Sequence, residues 1–271
     1  MTRIIYDFGA HNGNDIPYYL MNSDLVVAVE ANPSLCRTIE KRFQAEKQNG
    51  RLAIENRVLT VDKELPEVAF YIHKKYLVLS QLSKPGYNRE MKFEKVLLPS
   101  ASVIDIIKKY GAPYYIKIDL EHYDSQILRS LFDNGIYPPF ISAESHSIEV
   151  FSLLVCQGKY NAFKLVDGAT VSQVYSDRQI LNGKNEIPYS FPPHSAGPFG
   201  NDVDGKWMNA NNFFRLLAFE GLGWKDIHAT NQVEADPSAL PSVREYFKRV
   251  AMNKIMNSTP RTLKRVIRKF S

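Results

Sequence analysis

Cysteine is nearly missing: Cys36 and Cys156 are the only two among 271 residues. Two isolated thiols exclude a disulfide framework and a thiolate zinc site, so both read as small apolar residues. No run of about eighteen apolar residues occurs, which excludes a membrane-spanning helix. Internal repeats and low-complexity tracts are also lacking. The chain opens directly in a strand, without a basic apolar leader, and a cytoplasmic location is the expectation. Basic surface is scarce over most of the length. Residues 244–271 hold nine Lys or Arg against Glu245, leaving 25 basic and 28 acidic side chains elsewhere, a net −3 within an overall +5. A mildly acidic body excludes a nucleic-acid face, because phosphate binding needs a dense basic surface.

What is present is apolar: 44% hydrophobic residues suffice for one large α/β core or for one core with an elaborated cap. Arg3 to Phe8 and Leu25 to Val29 read as buried parallel strands. Between them, Gly9-Ala-His-Asn-Gly13 supplies glycines where the backbone turns sharply, and Asp15 to Met21 suits a short helix. Glu30 closes the second strand, about twenty residues past the first glycine, where a carboxylate accepts from both hydroxyls of a ribose.

Two ligand classes share that arrangement, and Asp7 separates them. A carboxylate beside the glycine loop repels a pyrophosphate by about 3 kcal/mol at ~5 Å and an effective dielectric of ~20, and favours a cation by as much. S-adenosylmethionine carries a sulfonium and an ammonium and no phosphate. The residues therefore point to a methyl-donor site, and a nicotinamide enzyme is disfavoured by Asp7 and by the lack of a third loop glycine. Asp7, Gly9, Asn12, Gly13, Glu30, Asn32 and Asp119 are the cofactor-side candidates. A Gly-rich turn with Asp7 serving as a helix cap is the plain alternative for the loop, and a non-catalytic binding module is a rival function.

Further along, Asn32-Pro33 predicts a helix to about Gln48, and Arg51 to Leu59 a third strand. Val68 to His73 and Lys92 to Leu98 read as a hairpin with a long loop, 80–86, able to reach the cofactor. Ser102 caps a helix over 103–110. Tyr114 to Asp119 is a strand, Ser125 to Phe132 a helix, Phe140 to Glu144 a strand, Ile148 to Gln157 a helix and Tyr160 to Val166 a strand. Asp7, Glu30, Asp119 and Glu144 all end predicted parallel strands, the edge where open α/β sheets bind ligands. Residues 168–212 lack helical periodicity and read as loops over the pocket, with 191–207 as a substrate lid. The expected organisation is a Rossmann-like core over 1–167, a lid with remaining core elements over 168–243, and a basic tail over 244–271.

Three segments, Asp7-Phe-Gly-Ala-His-Asn-Gly13, Val29-Glu-Ala-Asn-Pro33 and Ile116-Lys-Ile-Asp-Leu-Glu-His-Tyr-Asp-Ser-Gln-Ile-Leu128, resemble the FkbM-type S-adenosylmethionine-dependent methyltransferases. Ile141-Ser-Ala-Glu-Ser-His146 and Gly197-Pro-Phe-Gly200 fit more loosely, and residues 221–271 are not covered. The resemblance implies a seven-stranded α/β methyltransferase sheet and O-methylation, often of a sugar hydroxyl in a polysaccharide, glycolipid or natural product. It also implies that Asp7, Gly9 and Gly13 surround the methionine part and Glu30 the ribose. One departure is Asp119-Leu-Glu-His122, where the family usually has Asp-x-Glu-Gly.

A sugar hydroxyl needs a base as its proton leaves. His146 and His122 are the first candidates because imidazole accepts a proton near neutral pH; Asp119 joins them as a catalytic candidate. Glu121, Glu144, His194 and Trp207 are the substrate-side candidates. Asp119, Glu121, Asp124, Glu144 and His146 offer hard ligands to a divalent ion, but no spacing is diagnostic, so the methyl donor is the one cofactor expected. In the tail, Leu263, Val266, Ile267 and Phe270 share a helical face opposite basic residues. That pattern over 259–271 suits either peripheral contact with an anionic membrane or docking on the domain or a second subunit.

Overall fold

The computed structural model describes residues 2–61, 65–182 and 185–239. The helix expected over 259–271, and the whole of the basic tail, lie outside the described residues. Among the described residues no helix is long and apolar enough to cross a membrane.

The chain runs β1 (Ile4–Phe8), α1 (Ile16–Asn22), β2 (Leu25–Glu30), α2 (Pro33–Arg42), α3 (Gln44–Gln48), β3 (Leu52–Asn56) and β4 (Val58–Thr60). It continues through β5 (Glu67–His73), β6 (Phe93–Ser102), α4 (Val103–Tyr110), β7 (Tyr115–Ile118), α5 (Asp124–Asp133), β8 (Phe140–Glu144), α6 (Ile148–Cys156) and β9 (Ala162–Asp167). It closes with α7 (Val171–Val174), β10 (Arg178–Asn182), β11 (Asn185–Tyr189), α8 (Ala210–Glu220) and β12 (Lys225–Thr230). Seven strands form the central sheet in the order β3-β2-β1-β7-β8-β12-β9, parallel except for β12, which runs antiparallel to both neighbours.

Strand alternation divides the core between the two faces. Ile4, Tyr6, Phe8, Val27 and Val29 pack with residues of α4, α5, α6 and α8 on one face; Ile5, Val26 and Ala28 pack with α1 and α2 on the other. In α5, Ile127, Leu128 and Leu131 are fully buried at i, i+1, i+4, so the helix presents one stripe to the sheet. Ser102 caps α4 by accepting from the Ile104 N–H at 3.3 Å.

Four expectations change in detail. The helix expected over 32–48 breaks at Phe43 (φ −122°, ψ 37°), whose buried ring packs in the second core, so α2 and α3 are separate. The strand expected over 51–59 divides at Arg57: Asn56 donates to the Glu30 and Ala31 carbonyls at 3.0 Å, and the chain then leaves the large sheet. β4 pairs in parallel with β6, which is antiparallel to β5, so the expected hairpin becomes a three-stranded sheet. Within 168–212, read as irregular, lie α7, the β10–β11 hairpin and the start of α8.

The stretch 191–207 is more than a cover. Phe191, Phe199, Val203 and Trp207 are buried in the second core, and Phe199 stacks on Tyr115 with centroids 4.1 Å apart and planes 8° apart. Such a pair adds about 0.5–1.5 kcal/mol beyond its buried area.

Candidate functional site

A cavity of about 340 Å³ opens at the carboxyl ends of β1, β2, β7 and β8, within the range of small-molecule sites. One end is built on the first glycine loop. Gly9 has φ +85°, and any Cβ there would collide with the Asp119 carbonyl oxygen, so glycine is required where β1 and β7 diverge. The Gly9 and Ala10 N–H groups donate to the Val29 carbonyl at 3.0 and 3.1 Å, which folds the loop against the end of β2. Glu30 accepts from the His11 N–H at 2.8 Å and the Asn32 N–H at 2.7 Å. Burial nevertheless pushes its carboxyl up to about 7, against the pull of those two donors.

Asp7 sits in register with Lys117 on β7. The Lys117 ammonium is 3.5 Å from Asp7 and 3.3 Å from Asp119, and it donates to the Gly9 carbonyl at 3.0 Å. Burial raises the Asp7 carboxyl to about 6 although Lys117 lowers it. Burial also opposes the charge on Lys117, but Asp119, Asp7 and Asp15 override it and hold the ammonium well above its usual value. Asp15, expected only to start a helix, caps no N–H of α1. Instead it accepts from the Ser195 hydroxyl and from the Ala196 N–H at 3.1 Å, tying the 194–197 segment to the loop.

The other end gathers side chains from the β7 and β8 loops. Glu121 and His122 adopt φ +45° and +70°, left-handed values uncommon outside glycine. His146 Nε2 lies 2.7 Å from Glu144 Oε2 and 3.7 Å from Glu121 Oε2, and the His122 ring centroid is 4.2 Å from that of His146. Burial and then neighbouring carboxylates raise Glu121 and Asp124 to about 7 and Glu144 to about 10. Burial, then His146, lowers His122. Among the described residues, Glu121, Glu144 and His146 offer three ligand atoms within 4.8 Å of one another.

Of the cofactor-side candidates, Asp119, Gly9, Asn12 and Glu30 line the cavity, and Asp7 is buried beneath it through Lys117. Gly13 and Asn32 are not on its wall. Gly13 lets Ile16, Ile39 and Phe43 close on the loop, where a Cβ would come within 2.9 Å of Ile16. Asn32 caps α2, accepting from the Ser34 N–H at 2.9 Å. On the acceptor side Glu121, Glu144, His146 and His194 line the cavity, whereas His122 stands behind His146. Trp207 does not reach it: its ring is buried under the Lys164 ammonium, 4.6 Å away.

Trp224 takes the place at the mouth, stacked on His194 at 5.6 Å and 20°. Gly168 makes room for its indole, which any Cβ there would strike. Asp226 also lines the cavity, paired in register with Glu144, because antiparallel β12 begins at the edge where its parallel neighbours end. Lys117 was detectable as a lone cation inside an apolar strand. Trp224 and Asp226 carried no such signal, since both depend on the direction of β12.

Comparison with solved structures finds a methyltransferase FkbM from Methylobacillus flagellatus KT at 13% identity, covering 60% of this chain and 40% of that one, with a TM-score of 0.40. A precorrin-6y C5,15-methyltransferase from Geobacter metallireducens GS-15 gives 12%, 70%, 74% and 0.35. An O-methyltransferase from Bacillus cereus in complex with SAH gives 9%, 85%, 74% and 0.35. The chain thus spans two fifths of the length of the first of these proteins. No curated protein matches it. The Methyltransferase FkbM domain, by contrast, matches residues 7–152, more than half of the chain, and the chain therefore belongs to the FkbM methyltransferase family.

Proposed function

We propose that the chain is an S-adenosylmethionine-dependent O-methyltransferase acting on a hydroxyl of a sugar or glycoconjugate. The carrying observation is the charge at the Gly9 loop, where Asp7, Asp15, Glu30 and Asp119 stand against Lys117. An anionic pocket suits a sulfonium and an ammonium and repels a pyrophosphate. Asn12 supplies a further fit: its buried Oδ1 lacks a hydrogen-bond partner among the described residues and suits an ammonium donor. When bound, the donor supplies an electrophilic methyl group.

The chain's part is positioning and proton removal. Glu30 accepts from ribose hydroxyls with the lone pairs its two backbone donors leave free. Glu121, Glu144 and Asp226 present hydrogen-bonding groups suited to a polyhydroxylated acceptor, and His146, backed by His122, takes the hydroxyl proton. One observation favours a second acceptor class, a natural product with an apolar body: Leu77, Val78 and Leu79 line the cavity while 37–42% exposed. In either case the basic segment 259–271 is proposed to hold the protein at anionic membranes. Removal of the chain after Ser258 should then abolish co-sedimentation with anionic vesicles at low salt.

Titration calorimetry with S-adenosylhomocysteine and with NAD tests the donor: the former binds and the latter does not. Labelled methyl donor incubated with glycan and small-molecule extracts tests the acceptor. Label confined to the second extract would replace the sugar reading with the natural-product one.

A further inference from the structure

The β7–β8 end of the cavity gathers more carboxyl groups than the cations around it answer. Asp119, Glu121, Asp124 and Glu144 act on one another there. The Lys117 ammonium is already shared among Asp7, Asp119 and the Gly9 carbonyl. His146 Nε2 is sealed from solvent with glutamate oxygens at 2.7 and 3.7 Å. Behind them Asp124 is 1% exposed; its Oδ1 accepts from the Leu120 N–H at 3.3 Å, but its Oδ2 has no partner among the described residues.

An ion held at ~2.1 Å places neighbouring ligand atoms about 3.0 Å apart and opposite ones about 4.2 Å apart in an octahedron. The three atoms of Glu121, Glu144 and His146 fall within 4.8 Å of one another, so small side-chain rotations bring them onto such a sphere. Two carboxylates balance a dication, and a mixed oxygen and imidazole set suits Mn²⁺ or Mg²⁺ better than a soft metal.

We propose that Glu121, Glu144 and His146 bind a divalent cation of the Mn²⁺/Mg²⁺ class, with Asp124 behind them offsetting its charge. All three residues line the cavity, so an acceptor there is within reach of the ion. The binding site stands by itself; its use rests on the methyl-transfer reading. A coordinated acceptor hydroxyl is more acidic, and its proton passes from oxygen to the Asp119 carboxylate, which lines the same cavity.

The test uses the full chain, stripped with a chelator and titrated with Mn²⁺ while the free-ion electron paramagnetic resonance signal is followed. Wild type should take up a single ion and melt at a higher temperature with it. Glu121→Gln and His146→Gln should each weaken uptake at least about tenfold and lose the melting shift. Both should still bind S-adenosylhomocysteine as wild type does, which shows that they fold. Asp7→Asn should do the reverse, weakening the nucleoside and sparing Mn²⁺. Wild-type uptake no tighter than that of Glu121→Gln and His146→Gln overturns the site. Undiminished methyl transfer in chelator overturns only its role and leaves the methyltransferase reading intact.

Discussion

The two ends of the cavity contain the same kinds of side chain with different partners. At the Gly9 end the buried carboxylates meet donors or a cation of the protein itself: Glu30 two backbone N–H groups, Asp15 the Ser195 hydroxyl and the Ala196 N–H, and Asp7 the Lys117 ammonium at 3.5 Å, its oxygens otherwise without a hydrogen bond among the described residues. At the Glu144 end, Glu121, Asp124 and Glu144 face one another and His146, with no lysine or arginine in ion-pair reach of them among the described residues. The first end is shaped before any ligand arrives. The second crowds carboxyl groups together, a repulsion that a bound cation would relieve. On the proposed function, donor binding falls to the first end and chemistry to the second.

Lys117→Met strikes the organised end hardest, because it strands buried Asp7 beside Asp119. Unfolding in urea should show a loss of about 3–5 kcal/mol, part of it recovered in the double variant with Asp7→Asn. An unchanged midpoint would mean that Lys117 does not organise the loop.

Next in size is the chemistry. Alanine at His122 or His146 should lower turnover about 100-fold while nucleoside affinity stays within a factor of about two. Equal losses in affinity would erase the distinction between the ends.

The pH dependence sharpens it. Glu121 rises from 4.5, and Asp124 from 3.8, to about 7 in the folded chain, mainly through burial. In that window the native state holds more protons than the unfolded state, so stability is full below the ordinary carboxylate values and falls as pH rises through about 7. In chelator, Glu121→Gln should reduce that fall by about 1–2 kcal/mol. A wild-type stability that rises over the same window would contradict the crowding.

Smaller effects remain. Glu30→Gln should weaken S-adenosylhomocysteine about tenfold, a charged hydrogen bond's worth, measured by calorimetry. Trp224→Ala should raise the acceptor KM a few-fold with no change in nucleoside affinity.

The local pattern of apolar runs and capping residues was enough to locate β1, β2, β7 and β8, and with them the four acidic strand ends. Parallel strands share a carboxyl edge, so Asp7, Glu30, Asp119 and Glu144 had to meet. Glu121 and His146 follow within two residues of those ends and were carried along. Other features depend on contacts that no local period encodes. Lys-Asp-Ile-His-Ala-Thr lacks a continuous apolar run, so β12 passed unread, and its antiparallel insertion between β8 and β9 delivers Trp224 and Asp226 to the cavity. The bonds from Ser195 and Ala196 to Asp15 bridge about 180 residues, and the choice of Trp224 over Trp207 depends on which side of the sheet each chain return takes. Sequence determined where charges end strands, because that is set by neighbours three or four residues away. Tertiary structure decided which charges are answered and which are left to a ligand, because electrostatic pairing depends on distance through space.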